Sequence, residues 1–155
     1  SVTGVRTCAL PICDCCGAAF PGFTPGGADA FVRKYDSNGN VLWTRQFGTA
    51  DIERATAVTI LGEGIYVGGI TAGELAPGRV GGRDPFLRRY DANGNVIWTR
   101  QFGARQGTVT NLAEEVYAVA AGSSGIYMAG AVAQGNYPGQ THSGGLWDEI
   151  GRAHV

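Results

Sequence analysis

The stretch YDSNGNVLWTRQFG, residues 35–48, decides the fold, because the chain repeats it almost unchanged as YDANGNVIWTRQFG at residues 90–103. The two copies differ only at Ser37, which is replaced by Ala, and at Leu42, which is replaced by Ile. Their first residues are 90 − 35 = 55 positions apart. Near-identity at a fixed spacing of this size is the signature of a tandem-repeat protein.

The repeat extends well beyond these fourteen residues. GGADAF at 26–31 matches GGRDPF at 81–86 with the same offset, and GIYVGG at 64–69 matches GIYMAG at 125–130. The second pair lies 125 − 64 = 61 positions apart, so the second copy contains six extra residues, 61 − 55. We place this insertion in RQGTVTNLAEE, residues 105–115, and expect a surface loop there, since loops tolerate insertions.

The first half of each repeat predicts a β-hairpin. AFVRKY at 30–35 and VLWTRQF at 41–47 alternate in period two and are rich in β-branched and aromatic residues, a pattern typical of strands. The intervening DSNGN provides Asx side chains that bond their own backbone and an Asn-Gly pair that accepts positive φ. The equivalent turn positions in the two copies are Asp36 and Asp91, Asn38 and Asn93, and Gly39 and Gly94.

The second half predicts another hairpin. ATAVTIL at 55–61 and GIYVGGI at 64–70 flank a Gly-Glu-Gly turn, and Tyr66 and Tyr127 are equivalent positions in its second strand. In the second copy NLAEEVYAVAA aligns with a strand and not with a helix.

Four short strands per repeat, joined by tight turns, predict an all-β fold that is a fragment of a β-propeller. We expect residues 31–71 and 86–132 each to form a four-stranded antiparallel blade, with the two blades stacked face to face. Trp147 interrupts the Gly-Gly-x-Asp spacing at the start of a third unit. The predicted organisation is the end of a preceding blade at 13–25, blade repeat 1 at 26–80, blade repeat 2 at 81–143 and the start of a third blade at 144–149.

Both ends of the chain have a composition that we interpret as translated sequencing-adapter DNA. TCALPI near the start back-translates to ACGTGTGCTCTTCCGATC, and the reverse complement of that string, read one base later, encodes the terminal IGRAHV. We therefore expect residues 1–12 and 150–155 to be non-native and the remainder to be an internal piece of a longer protein. A two-blade piece lacks neighbours on its outer faces, so we expect the 155-residue chain alone to be aggregated, oligomeric or partly folded.

Composition excludes several function classes. Removing Arg6 and Arg152 from the 12 basic residues leaves 10 against 13 acidic ones, a net charge of about −3, which does not favour nucleic acid as a partner. No apolar run reaches the roughly 18 residues of a membrane span. Among the cysteines, Cys8 and Cys13 fall in or beside the adapter segment, and adjacent Cys15 and Cys16 favour neither a metal site nor a mutual disulfide. Their redox state stays open.

Other candidate chemistry also has a structural interpretation. Asp36, Asn38 and Asn40 superficially match a calcium loop, but Val41 and Phe47 stand where an EF-hand needs Gly and Glu, so turn chemistry is favoured over calcium. His142, apart from the adapter's His154, offers no Ser-His-Asp or Cys-His set. The sequence predicts no metal, cofactor or catalytic site.

Repeated positions are best interpreted as structural. Asp29 and Asp84 are expected to anchor turns or blade edges, because repetition predicts equal environments whereas an acid–base pair needs unequal ones. Trp43 and Trp98 are expected to be equivalent, substantially buried anchors between sheets rather than sugar platforms. Four arginines are expected on solvated faces or paired with Asp, and these are Arg33, Arg45, Arg88 and Arg100. Five glutamates are expected in turns or loops, and these are Glu53, Glu63, Glu74, Glu114 and Glu115.

The pattern GGxDAFVxKYDxNGNVLW, followed by GIYVGG and a Pro-Gly-rich linker, resembles the SBBP β-propeller repeats of bacterial and archaeal proteins over about residues 17–148. The resemblance implies blades of a large exported or cell-surface protein, with no catalytic set in the repeat itself. Ala28, Arg83 and Pro85 depart from that pattern.

Two function classes remain. The favoured one is a non-catalytic scaffold or binding module whose partner is a protein or glycan, in addition to neighbouring blades of its own chain. The alternative is part of a propeller enzyme acting on polysaccharide, with catalytic residues outside this segment.

Overall fold

The computed structural model describes residues 27–104, 114–133, 135–137, 139–140 and 148–150. Within them the chain forms nine β-strands and no helix, which confirms the all-β prediction. The strands are β1 (Ala30–Tyr35), β2 (Val41–Phe47), β3 (Glu53–Leu61), β4 (Gly64–Thr71), β5 (Asp84–Tyr90), β6 (Val96–Gln101), β7 (Glu114–Gly122), β8 (Gly125–Val132) and β9 (Asp148–Ile150). Most of the proposed insertion, residues 105–113, lies outside the described residues, as do Cys8, Cys13, Cys15, Cys16 and His142.

Each predicted hairpin is present. β1 pairs antiparallel with β2, β3 with β4, β5 with β6, and β7 with β8. The two Asn-Gly turns have their glycines at positive φ, 84° at Gly39 and 78° at Gly94, a conformation that glycine adopts without steric cost. The local turn chemistry of the repeat therefore determines which neighbouring strands pair.

The grouping of hairpins into sheets differs from the prediction. The four-stranded sheet has the order β3-β4-β5-β6, so it combines the second hairpin of the first copy with the first hairpin of the second copy. β1-β2 and β7-β8-β9 form separate sheets. The expectation that residues 31–71 and 86–132 each form one four-stranded sheet is therefore wrong. The four-stranded sheet begins half a repeat later in the chain, at β3 instead of β1.

The connections between strands explain this offset. The short segment 48–52, between β2 and β3, is tied to the residues before β1, since Gly27 N donates to Ala50 O at 3.0 Å and Glu53 N donates to Ala28 O at 2.6 Å. These bonds direct β3 away from β2. The longer Pro-Gly-rich segment 72–83 instead lets β5 return beside β4, with Ile65 opposite Tyr90 and Thr71 opposite Asp84. We call β1-β2, β3 to β6 and β7-β8-β9 sheets 1, 2 and 3.

Strand β9 shows where the third unit begins. It pairs with β8 so that Val132 is opposite Asp148, the same register in which Thr71 of β4 is opposite Asp84 of β5. Asp148 therefore occupies the strand position of Asp84, despite the irregular spacing around Trp147. The strand ends at Ile150, which is one residue inside the segment interpreted as adapter.

Two apolar clusters join the three sheets in series. Between sheets 1 and 2, Ala30 and Phe47 pack with Ile65, Val67, Phe86 and Tyr90 of the larger sheet, and Phe47 meets Phe86 edge-on with ring centroids 5.6 Å apart. Between sheets 2 and 3, Ile70 packs with Val116 and Val119. Sheet 2 thus packs one face against sheet 1 and the other face against sheet 3.

Glycines set the spacing at the second junction. A Cβ on Gly68 would lie 2.4 Å from the Cγ2 atom of Val119, so the absent side chain allows β4 to approach β7 closely. A Cβ on Gly69 would lie 1.9 Å from the carbonyl oxygen of Arg54, across a β-bulge in β3. Gly130 has the same relation to Glu115. Both copies therefore share the bulge geometry as well as the sequence.

Candidate functional site

The Asx turns of the two repeats have the same hydrogen bonds. Asp36 Oδ1 accepts from the backbone N–H of Asn38 and of Asn40 at 2.9 and 2.8 Å, and Oδ2 accepts from Asn40 Nδ2 at 2.8 Å. Asp91 repeats this arrangement with Asn93 and Asn95. Both carboxylate oxygens thus stabilise the turn, in agreement with the turn interpretation. In each case the Asn side-chain and backbone donors hold the pKa of the aspartate below its ordinary value.

The second Asx turn also forms a joint with the first repeat. Trp43 Nε1 and Lys34 Nζ donate to Ala92 O at 3.1 and 3.0 Å, and Arg45 donates to Gly94 O at 2.7 Å. The Trp43 indole lies against Gly94, where a Cβ would come within 2.9 Å of the ring. The glycine is therefore required for contact between repeats as well as for the turn.

The equivalent tryptophan has different neighbours. Trp98 meets Tyr66 of its own sheet edge-on, with ring centroids 5.9 Å apart, and both indoles are half-buried. Tyr66 is buried, whereas Tyr127 is exposed and shares a 2.6 Å hydrogen bond with Ser124 Oγ. The two tryptophans thus share a sequence position but not an environment, because Trp43 has a following turn to pack against.

One of the arginine predictions was wrong. Arg88 is buried, with its guanidinium 4.2 Å from the centre of the Phe47 ring and its Nε donating to Thr99 Oγ1 at 2.8 Å. Arg45 holds the second Asx turn and is paired with no aspartate among the described residues. Arg33 donates to Thr44 Oγ1 at 2.8 Å, and Arg100 is exposed beside Trp98. Cation–π packing between sheets, and not solvation, accounts for Arg88.

Buried carboxylates form the candidate site, and the first copy shows how they are satisfied. Glu53, the first residue of β3, accepts from Thr49 N at 2.7 Å, from Thr49 Oγ1 at 2.8 Å and from Thr71 Oγ1 at 2.5 Å. Next to the Glu53 carboxylate, Gln46 Nε2 donates to Asp29 Oδ2 at 2.8 Å. We name Asp29, Gln46 and Glu53 the first acid cluster.

The second acid cluster is the equivalent set Asp84, Gln101 and Glu114. Asp84 accepts from the backbone of Val80 and Gly81 at 2.8 and 2.9 Å and from Gln101 Nε2 at 3.0 Å, so its carboxylate anchors the segment before β5. Glu114, the first residue of β7, accepts from Ala104 N at 2.6 Å through Oε1. Its Oε2 is buried and has no hydrogen-bond partner among the residues that the structure describes.

The difference between the two glutamates has a cause in the sequence. Thr49 and Thr71, whose hydroxyls bind Glu53, are replaced at the equivalent positions by Ala104 (49 + 55) and Val132 (71 + 61). Burial of the carboxyl without these donors raises the pKa of Glu114 to about 7. The negative charge of Asp84 contributes to the same rise. Repetition of a residue therefore does not guarantee an equal environment, contrary to the sequence argument.

An aromatic pocket lies next to the second cluster. Tyr137 packs with buried Ala104 and Val132 and meets Phe102 with ring centroids 5.9 Å apart. Burial, followed by the charges of Glu114 and Asp84, raises the pKa of the Tyr137 hydroxyl. These two aromatic rings line an apolar pocket of about 190 Å³, together with residues of β5, β7 and β8.

Sequence analysis missed this site because it assigned the glutamates to loops. Glu53, Glu114 and Glu115 are strand residues, and the first two are completely buried, whereas Glu63 and Glu74 do lie outside strands. Alignment at the offset of 61 pairs Glu53 with Glu114. This repeated glutamate is the feature of the sequence from which the site could have been predicted. No group of three or more potential metal ligands occurs in the described part of the chain, and no described helix could cross a membrane.

Comparison with known proteins gives one named relative. The chain is 32% identical over 135 residues to the regulatory protein FlaEY of Caulobacter vibrioides, and the match covers 79% of this chain. It covers only 14% of the length of FlaEY, so it concerns a segment of that protein. No family model matches the chain.

Proposed function

We propose that the chain is a β-propeller segment of the SBBP repeat type from a larger exported or cell-surface protein, where it serves as a scaffold or as a protein- or glycan-binding module. The observation that carries the proposal is the serial stacking of three antiparallel sheets through two apolar clusters. Radial repetition of small antiparallel sheets is the organising feature of propellers.

The outer face of sheet 1 supports a further unit before it. Phe86 is 0% exposed against sheet 1, whereas its counterpart Phe31 is 60% exposed. The same residue is thus buried where a neighbouring sheet is present and exposed where the described residues provide none. A closed ring is an arrangement that covers every such face.

The burial of the acid clusters argues against catalysis by their carboxylates. Glu114, with its pKa raised to about 7, beside hydrogen-bonded Asp84 is the kind of unequal pair that acid–base enzymes use. Both side chains are buried, however, so a polysaccharide does not reach them in this structure. The propeller-enzyme alternative therefore needs catalytic residues elsewhere in a longer protein. The similar segment of a protein named as regulatory also agrees with a recognition role.

Arrays of increasing length test the propeller proposal. Chains carrying about three to nine tandem copies of residues 26–80 bracket the four to eight blades of closed propellers. We expect thermal stability to rise abruptly at one copy number, with that chain monomeric, because closure covers the last two open faces. A smooth rise with no preferred number would indicate an open solenoid and contradict ring closure.

Two further measurements test the rest of the proposal. The coding sequence upstream of this segment is expected to encode a signal peptide, and a complete N-terminus without one would contradict export. Release of reducing sugar from a soluble polysaccharide by the closed array would contradict the non-catalytic role.

A further inference from the structure

A glutamate at the start of β3 and another at the start of β7 connect each of these strands to the sheet before it. Glu53 N donates to Ala28 O, just before β1, at 2.6 Å, and Glu114 N donates to Arg83 O, just before β5, at 3.3 Å. Glu114 Oε1 also accepts from Ala104 N, just after β6, at 2.6 Å. We call the bonds of Glu53 the first glutamate contact and those of Glu114 the second glutamate contact.

The two contacts differ in the donors that reach the buried carboxylate. Glu53 accepts from a backbone N–H and from the hydroxyls of Thr49 and Thr71. The equivalent side chains around Glu114 are apolar, and Glu114 Oε2 is buried with no partner among the described residues. A buried carboxylate is stable in its charged form only where hydrogen bonds or a cation replace the water that it has lost. The first glutamate contact provides such bonds, whereas the second does not.

No cation in the described part of the chain compensates for the missing donors. The negative charge of Asp84 opposes ionisation of Glu114. Burial raises the pKa of the Tyr137 hydroxyl, which is therefore neutral between pH 5 and 8. Arg83 directs its guanidinium to Glu115 at 3.3 Å. The surroundings of Glu114 thus favour its protonated carboxyl, in agreement with its raised pKa.

Ionisation of Glu114 is favoured once water reaches its carboxylate. The side chain is completely buried, so water gains access when the start of β7 moves away from Ala104 and Arg83. Because Tyr137 packs with buried Ala104 and Val132, the same movement uncovers this apolar cluster. Opening of the second glutamate contact is therefore coupled to loss of one proton.

We propose that the second glutamate contact is a pH-sensitive switch, which holds sheet 3 against sheet 2 while Glu114 is protonated and opens locally when Glu114 ionises. The first glutamate contact stays closed, since its carboxylate is hydrogen-bonded in the charged form. This inference concerns one contact between sheets 2 and 3, so it holds for an open or a closed array and is independent of the proposed function.

The sign and size of the effect follow from proton binding. The closed contact binds the Glu114 proton more tightly than the open one, so closure is fully favoured below pH 4.5 and weakens as the pH rises to about 7. A shift of the pKa from 4.5 to about 7 raises the equilibrium constant for opening by at most about 300-fold, of which about 70-fold falls between pH 5 and 8.

Amide hydrogen exchange, followed by mass spectrometry on this segment within a complete set of repeats, tests the proposal. After correction for the intrinsic pH dependence of exchange, protection in β7 should fall by up to about 70-fold between pH 5 and 8. Protection in β3, the equivalent strand with the satisfied Glu53, is the internal control and should change little.

Two variants assign the effect to Glu114. Glu114→Gln should make protection in β7 independent of pH, and it keeps His142, which lies outside the described residues and has an ordinary pKa in the same range. Ala104→Thr with Val132→Thr supplies the two hydroxyls and should weaken the pH dependence while Glu114 is retained. Circular dichroism at pH 5 checks that each variant folds, and Glu114→Gln alone decides if the double variant does not.

Three results would overturn the proposal. Protection in β7 that does not fall between pH 5 and 8 removes the switch. A fall that persists in Glu114→Gln assigns the pH dependence to another group. An equal fall in β3 and β7 shows that the chain opens globally and not at the second glutamate contact.

Discussion

Glu114→Gln is expected to remove a fall in stability that the chain undergoes as the pH rises from about 5 to about 8. Glu114 is completely buried, one of its carboxylate oxygens has no partner among the described residues, and its pKa is raised from 4.5 to about 7. The raised pKa means that the folded chain binds this proton more tightly than the unfolded chain does. The folded state is therefore favoured at acidic pH and loses stability as the carboxyl ionises.

The magnitude follows from the size of the shift. One pKa unit corresponds to about 1.4 kcal/mol, so a shift from 4.5 to about 7 corresponds to at most about 3.5 kcal/mol. The loss accumulates between pH 4.5 and about 7 and is complete above that range. Other groups that face this carboxyl are Asp84 and Tyr137; Asp84 adds to the effect as a negative charge. Urea unfolding of this segment within a complete set of repeats, followed by tryptophan fluorescence at several pH values, measures it.

The first copy supplies the matched control. Glu53→Gln should lower stability across this pH range, because Glu53 accepts from Thr49 N, Thr49 Oγ1 and Thr71 Oγ1, and an amide group cannot accept all three bonds. A reciprocal variant, Ala104→Thr with Val132→Thr, restores the two hydroxyls to the second cluster. That double variant should lower the pKa of Glu114 and flatten the pH dependence without altering Glu114 itself.

The reasoning is refuted if Glu114→Gln keeps the parent's loss of stability between pH 5 and 8. It is also refuted if the double threonine variant leaves the Glu114 pKa, read from its side-chain carboxyl resonance, at the parent's value.

Four further outcomes are expected. Trp43→Ala should cost about 3 kcal/mol of unfolding free energy and Trp98→Ala about half of that, since only Trp43 packs on a following turn; equal losses in denaturant titrations would contradict the difference. Asp91→Ala should lower the melting temperature and weaken the loss of stability on acidification, because the lowered pKa of Asp91 favours the fold only while the carboxylate is charged; an unchanged acid profile would count against the turn's role. Gly69→Ala should cost about 3 kcal/mol through collision with backbone, against about 1 kcal/mol for Gly39→Ala, which has positive φ but open space; the reverse order in chemical unfolding would be inconsistent with the bulge. The 155-residue chain alone should sediment as oligomer or aggregate, whereas a complete set of repeats should melt cooperatively, so a sharp two-state transition from a monomer of the short chain would overturn the truncation argument.

Local structure was predictable from sequence to within a residue or two. The alternation in AFVRKY and VLWTRQF gave strands whose bounds match β1 and β2, and the Asn-Gly chemistry gave the turns. These features depend on neighbours in the chain, which a sequence displays directly.

The grouping of hairpins into sheets was not predictable in the same way. A repeat pattern is unchanged when its starting point is shifted, so the period alone does not say which two hairpins share a sheet. The choice depends on long-range bonds such as Glu53 N to Ala28 O, and these follow from tertiary packing. The acid clusters were missed for a related reason. The significance of Glu114 lies in the loss of hydroxyls at Ala104 and Val132, which are distant in sequence and meet only in the fold.

The central claim is that the second hairpin of one repeat and the first hairpin of the next form a single sheet, and cross-strand nuclear Overhauser effects test it most directly. The structure predicts backbone contacts between β4 and β5, with Val67 opposite Arg88 and Gly69 opposite Phe86. No backbone pairing of β2 with β3 is expected. Contacts that instead join Val41–Phe47 to Glu53–Leu61, with none between β4 and β5, would contradict the account.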